Sequence, residues 1–231
     1  MAITAANLKF YQSAVWSDAA ANGGAIDTGA EITSGASQNI FPNITDAERT
    51  TGVTKYKKIY LRNENADAYN NVHAWIQANT PDAQTAVSIV AGGLTSTQGN
   101  DTAVATLTFT FAASDQVIAS ADCHNALAEG EMIWNSTDDT NTQKRAISTI
   151  SADGLTITLA SAYAGTAGAT KAATVQKITD STFVAAVNEA AGVHLGSLIQ
   201  NASRAVWIKL VVDASSDGYT DDTFTIRVSN S

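Results

Sequence analysis

Near its C-terminal end the chain runs Ala205-Val206-Trp207-Ile208-Lys209-Leu210-Val211-Val212, turns through polar residues, and continues Thr223-Phe224-Thr225-Ile226-Arg227-Val228-Ser229. Phe224, Ile226 and Val228 alternate with Thr223, Thr225, Arg227 and Ser229, the period of two expected of a strand with one wet and one buried face. The pattern reads as a β-hairpin, and a lone hairpin is at best marginally stable in water. It therefore has to pair with strands far upstream, which makes the two ends of the chain halves of one β-sandwich.

The upstream strands are visible. Tyr56 to Asn63 places Ile59 and Leu61 on one face, Asn63 to Ala68 turns the chain, and Val72 to Gln77 returns as the expected partner with Val72, Ala74 and Ile76 facing one way. Val87-Ser88-Ile89-Val90 ends at Gly92-Gly93, and in Thr102 to Phe111 the residues Leu107, Phe109 and Phe111 alternate with Thr106, Thr108 and Thr110. Strand following strand with polar turns between them is the signature of an all-β sandwich of the Ig-like kind. From about Ala112 the composition shifts. Met132 to Asn135 follows a bend at Gly130, Arg145 to Ile150 is joined through Asp153-Gly154 to Leu155 to Leu159, and a last strand lies near Thr174 to Ile178. Short strands this densely spaced fit a small closed barrel, because closure removes unpaired edges. The expected organisation is a discontinuous sandwich over 1–112 and 181–231 with a barrel-like domain inserted over 113–180.

Four other segments carry expectations. Asp18 to Ser37 has no period and reads as a long arm or loop, so that Met1 to about Asn39 becomes a candidate for packing on a neighbouring subunit. Asn39-Ile40-Phe41-Pro42 resembles an edge strand ended by proline, and Thr45 to Gly52 reads as turns. Thr182 to Ala191 has Phe183, Val184, Val187 and Ala191 at helical spacing, closed by Gly192, and is the expected helix.

Composition narrows the function. The 231 residues suffice for one large or two small cores, only 15% are charged, and two prolines argue against a linker-rich chain. A net charge of −9 disfavours nucleic acid as a partner, which needs clustered Lys and Arg. Lys55, Lys57 and Lys58 form the only local basic cluster, expected on the exposed side of a strand start. No apolar run approaches the roughly 18 residues of a membrane span, and Met1-Ala2-Ile3-Thr4 opens without a secretory pattern. The expectation is a soluble protein made in a cytoplasm, in which the Asn-x-Ser/Thr matches at Asn43, Asn135 and Asn201 carry no meaning.

No constellation points to catalysis, a cofactor or a metal. Cys123 stands alone and without a His/Asn partner pattern, so it reads as a buried small side chain. His73, His124 and His194 are too scattered for a metal centre. The turn Asp213 to Asp222 and the pair Asp138-Asp139 have oxygen ligands a calcium ion would accept, but the spacing is not that of an EF-hand and both read as solvated loops. Asn22-Gly23-Gly24 and Gly165 to Gly168 lack a phosphate-loop ending, and Ser197 and Ser203 lack a nucleophile elbow. Trp16, Trp75, Trp134 and Trp207 are spread over different segments and read as anchors of a core or an interface; an exposed pair would instead suit a glycan.

Phe41 to Arg49, then Lys55 to Asn65, then the closing Val206-Trp207-Ile208-Lys209 and Phe224 to Val228 together resemble structural proteins of tailed bacteriophages, and Gly130 to Asn135 with Thr156 to Tyr163 resembles small barrel modules in such virion proteins. The resemblance implies a non-enzymatic part of a virion assembled in the host cytoplasm. Its implied partners are the major capsid protein or other virion proteins and further copies of itself, with a trimer as the working guess. A capsid decoration or cement protein is the first reading, a neck, collar or tail component the second, and a carbohydrate- or host-surface-binding module the reading from another class.

Overall fold

Two long strands that are buried on both faces set the architecture. β3 (Val53–Asn63) and β13 (Ser203–Val212) pair antiparallel from Arg62 opposite Ser203 to Val53 opposite Val212. On one side of this ribbon lie Ile59, Leu61, Val206 and Ile208; on the other lie Lys58, Tyr60 and Trp207, and all are at most 1% exposed. Burying each large apolar side chain here contributes about 1.5–3 kcal/mol, so this ribbon needs cover on both sides. The computed structural model describes residues 5–93, 96–124, 126–138, 143–217 and 223–230.

The ribbon is the centre of a five-stranded antiparallel sheet that also holds β1 (Leu8–Val15), β2 (Gly23–Glu31) and β5 (Thr85–Gly92), in the order β2-β1-β3-β13-β5. A three-stranded sheet, β12-β4-β14, faces it, made of β12 (Val193–Leu198), β4 (Tyr69–Ala78) and β14 (Thr225–Asn230). Ile59, Leu61, Val206, Ile208, Val72, Ala74, Ile76 and Leu198 form the core between the sheets. The two ends of the chain do share one sandwich, but the pairing is not local. β13 pairs with β3 and β5, while β14 pairs with β4 in the other sheet, so the expected terminal hairpin is a crossing between sheets. The same holds for β3 and β4. The turn between them is pinned by Asn63, whose side chain donates to the carbonyls of Asp67 and Leu198, and it carries the chain from one sheet to the other.

The barrel consists of β6 (Thr102–Phe111), β7 (Gln116–Ala119), β8 (Met132–Asn135), β9 (Arg145–Ile150), β10 (Thr156–Leu159) and β11 (Gly168–Val175), closed in the order β10-β7-β6-β11-β8-β9. Phe109, Phe111, Val117, Ile133, Trp134, Ile147 and Ile157 fill it. The expected boundary at residue 112 is corrected: β6 pairs with β7 and β11, so it is a barrel strand and not a sandwich strand. Alternation identified it as a strand but cannot say which sheet takes it. The neck of the insertion is two chain segments side by side, with the Ile178 N–H donating to the Thr97 carbonyl and the Thr179 N–H to the Gln98 carbonyl.

The edges explain the remaining differences. Along the outer edge of β5 the Asn79 side chain bonds both the N–H and the carbonyl of Val87 at 2.9 Å, and Ile89 exchanges both of its backbone bonds with Val184. Val184 is thus extended, and the helix expected over Thr182 to Ala191 shrinks to a 3-10 turn at Glu189–Ala191 capped by Asn188. Edge satisfaction outweighed helical spacing. Part of the expected arm, Gly23–Glu31, is β2 and pairs with β1 through large register shifts. Ile40 and Phe41 form no strand and instead pack on the sandwich core with Ile44. The expected turns after Thr45 hold the short helix α1 (Asp46–Thr51), started by a capping box between Thr45 and Glu48.

Replacing 101–177 with a short glycine linker is expected to leave a sandwich that unfolds cooperatively. Removing 123–180 instead strands β6 and β7 without barrel partners and is expected to give an aggregated product. Size-exclusion chromatography and thermal melts of the two deletions check this, and the reverse ranking would mean that β6 belongs to the sandwich.

Candidate functional site

The outer face of the five-stranded sheet, away from the sandwich core, carries a fully buried tryptophan. Trp207 lies opposite Lys58 on β3 and Val90 on β5, and its ring is wedged between two glycines. A Cβ on Gly92 would sit 2.5 Å from Trp207 Cδ1, and one on Gly23 would sit 2.9 Å from Cζ2. The indole N–H donates to Ser96 Oγ at 3.0 Å, so the polar end of the ring is satisfied in the neck of the insertion.

Beside this ring is a lysine with no exposed surface. Lys58 donates to the carbonyls of Ser96 (3.0 Å) and Gly24 (3.3 Å), and its ammonium lies 5.4 Å from the Tyr60 ring centre and 5.6 Å from that of Trp207. The Tyr60 hydroxyl also donates to the Gly24 carbonyl. From the barrel side comes Glu131, 2% exposed, which accepts from the N–H of Gly93 and, at 3.0 Å, from that of Ala128. Its carboxyl also bonds the side chain of Ser96. One carboxylate thus holds the last residue of the sandwich edge, the neck and the turn that starts β8.

Burial dominates the electrostatics of this pair. It pushes the Glu131 carboxyl up to about 7 against the hydrogen bonds from Gly93 and Ala128 and the charge of Lys58. It draws the Lys58 ammonium down to about 7 against the charge of Glu131. Glu131, raised, therefore contributes most to stability below its ordinary value of 4.5, and that contribution is lost as pH rises through 7. Lys58, lowered, contributes most above 10.5 and loses its contribution as pH falls through 7. Both groups are sealed from solvent, and their hydrogen bonds join the sandwich, the neck and the barrel.

Lys55 and Lys57 are buried as well, correcting the expectation of an exposed basic cluster. Both lie on the core-facing side at the start of β3, where Lys55 meets Glu48 at 2.7 Å, and Lys57 meets Asp18 at 2.8 Å and lies 5.4 Å from the Trp16 ring centre. Lys55 and the Thr45 cap hold the Glu48 carboxyl at about 2.

The histidines, distant in sequence, share a second seam between barrel and sandwich. The ring centres of His73 and His194 lie 4.8 Å apart with the planes tilted by 37°, and His194 Nδ1 lies 2.8 Å from Oε2 of Glu129, a barrel residue. His124 lies on the barrel side, with Nδ1 2.7 Å from Asp122 Oδ1. Among the described residues no three His, Cys, Asp or Glu side chains form a group able to hold a metal ion. A shallow groove of about 630 Å³ opens beside His73, Asn188, Glu189 and Ala190.

Cys123, the acidic loops, the other tryptophans and the serines take part in packing and backbone hydrogen bonding. Cys123 is in the barrel core, with its thiol pushed up to about 12 by burial. Asp138 accepts from Tyr163 and from the N–H of Thr166, while Asp139 lies outside the described residues. Of the acidic turn, 213–217 are described, and there Asp213 and Asp217 are tied to Gln84 through their N–H groups. Trp134 and Trp75 are buried, Ser197 Oγ accepts from the Asn71 N–H at 3.4 Å, and Ser203 is paired within β13. Asn22 is fully buried and bonds the Tyr56 carbonyl at 2.8 Å, which fixes the turn that begins β2.

The fit at the joint is testable at Gly93. A Cβ there would lie 2.2 Å from the carbonyl oxygen of Ala126 and 2.9 Å from Glu131 Oε2, and backbone at that distance has little room to yield. Gly93→Ala is expected to cost about 3 kcal/mol in urea unfolding; a loss below about 1 kcal/mol would show that the joint is loosely fitted.

No family model matches the chain, and no curated protein or solved structure matches it.

Proposed function

We propose that the protein is a non-enzymatic structural component of a tailed-phage particle, a capsid decoration or cement protein that binds the assembled shell through the sandwich and displays the barrel outward. The observation that carries this reading is the buried joint. Lys58 and Glu131, the two side chains whose titration burial moves furthest into the neutral range, are enclosed and bonded to backbone, where they fix the barrel on the sandwich. A rigid body with two β-units is what a particle component needs, since it must carry load without turnover.

The surface supports the same reading. The barrel presents exposed hydroxyl and amide side chains, Thr108, Thr110, Gln116, Ser148 and Thr149 among them, which stay hydrated and suit an outward wall. Two of the sandwich edges are covered. The outer edge of β5 is bonded by Asn79 and Val184, and on β12 Arg204 donates to the carbonyls of Leu195 and Ser197. Covered edges restrain uncontrolled strand addition, a requirement for a protein held at high local concentration.

The test is copy number per particle, by quantitative mass spectrometry against the major capsid protein. Hundreds of copies are expected for a shell decoration. A dozen or fewer would move the protein to the neck or tail, and absence from particles would overturn the virion reading in favour of a host-surface-binding module.

A further inference from the structure

The His194 ring has an acceptor at each nitrogen. Nδ1 lies 2.8 Å from Glu129 Oε2, and Nε2 lies 3.0 Å from Asn71 Oδ1. A neutral imidazole carries one proton and would leave one nitrogen lone pair facing an oxygen, whereas an imidazolium donates to both. The two partners belong to different bodies. Asn71 is on β4 of the sandwich, and Glu129 is on the barrel, with its other oxygen held by the Ile150 N–H at 3.1 Å. The imidazolium therefore donates to both oxygens at once and makes the bond to Glu129, the one that crosses the seam, charge-assisted at both ends.

We propose that His194 is a protonation latch, which holds the barrel more tightly to the sandwich when its imidazole is charged than when it is neutral. The latch does not depend on which assembly the protein joins.

The groups around it fix the pH window. The barrel contributes Asp122, His124, Glu129 and, at the neighbouring joint, Glu131; the sandwich contributes His73, Arg204 and Lys58; Glu189 lies across the groove from His73. The hydrogen bond to Glu129 raises His194 above its ordinary value of 6.5, more than burial lowers it. Burial works against ionisation of Glu129, but the bonds from His194 and Ile150 outweigh it and hold the carboxyl below its ordinary 4.5. The contribution of His194 is thus fully present below pH 6.5 and lost as pH rises through its raised value, while that of Glu129 is present above 4.5 and lost as pH falls through its lowered value. The contact is strongest between those limits. The buried joint contributes opposed dependences: Glu131, raised, loses its contribution as pH rises from 4.5 to 7, and Lys58, lowered, gains its own as pH rises from 7 to 10.5.

The direct test is the titration of His194 followed by NMR in the intact protein, with hydrogen exchange at the amides of Ile150 and Leu195 compared between pH 6 and pH 8.5 after correction for the intrinsic rate. A midpoint above 6.5 is expected, with greater protection at the lower pH. In Glu129→Gln the midpoint should fall toward 6.5 and the difference in protection should shrink. A wild-type midpoint at or below 6.5, or protection that is the same at both pH values, would overturn the proposal, and neither reading requires the variant to fold.

Discussion

The cost of removing an ammonium and a carboxylate from water governs this architecture. Lys58 and Glu131 lie in the seam between two β-bodies, and the effective penalty for burying an ion is several kcal/mol even after relaxation. That penalty is offset only if every donor and acceptor finds a partner at once. The partners come from four places: the carbonyl of Gly24 on β2, the carbonyl and hydroxyl of Ser96 in the neck, the N–H of Gly93 after β5, and the N–H of Ala128 before β8. A shift of the barrel by a fraction of a hydrogen-bond length leaves a buried charge exposed to its own desolvation. The joint therefore specifies one docking geometry, where apolar contact alone would tolerate sliding.

Much of the fold follows from that requirement. The outer face of the five-stranded sheet is apolar around Trp207 because the neck and the Ile178–Phe183 segment cover it, which leaves the central ribbon buried on both sides. Gly23, Gly92 and Gly93 stand where the chain passes against an indole ring or a carbonyl with no space for a Cβ. The barrel, inserted by two adjacent segments, would otherwise be free to swing on its neck. The buried joint and the His194 contact restrain it at two points.

Period-two alternation located β4, β6 and β14 correctly as strands, because a strand with one buried face writes its period directly into the chain, whereas β13, buried on both faces, shows as a nearly unbroken apolar run. Alternation could not assign partners. β13 and β14 are adjacent in sequence yet lie in opposite sheets, and β6 has the same alternation whether it joins a sandwich or a barrel. Lys55, Lys57 and Lys58 looked solvated because three lysines in four residues normally are; here Glu48, Asp18 and Glu131 come from remote segments to meet them. Other local signals are the capping box from Thr45 to Glu48 ahead of Gly52, and the glycines Gly23, Gly92 and Gly93 at points of close approach. The histidine seam had no local signal, since β4, the barrel entry and β12 meet only in three dimensions.

The most direct test of the joint is a double-mutant cycle with Lys58→Met, Glu131→Leu and the combined variant, followed by urea unfolding at pH 7. Each single change leaves a buried charge without its counterpart and is predicted to cost about 3–5 kcal/mol. The combined variant should lose less than the sum of the two by about 2 kcal/mol or more. Losses that add to within about 0.5 kcal/mol would contradict the account, because they would mean that the two side chains do not act on each other across the seam.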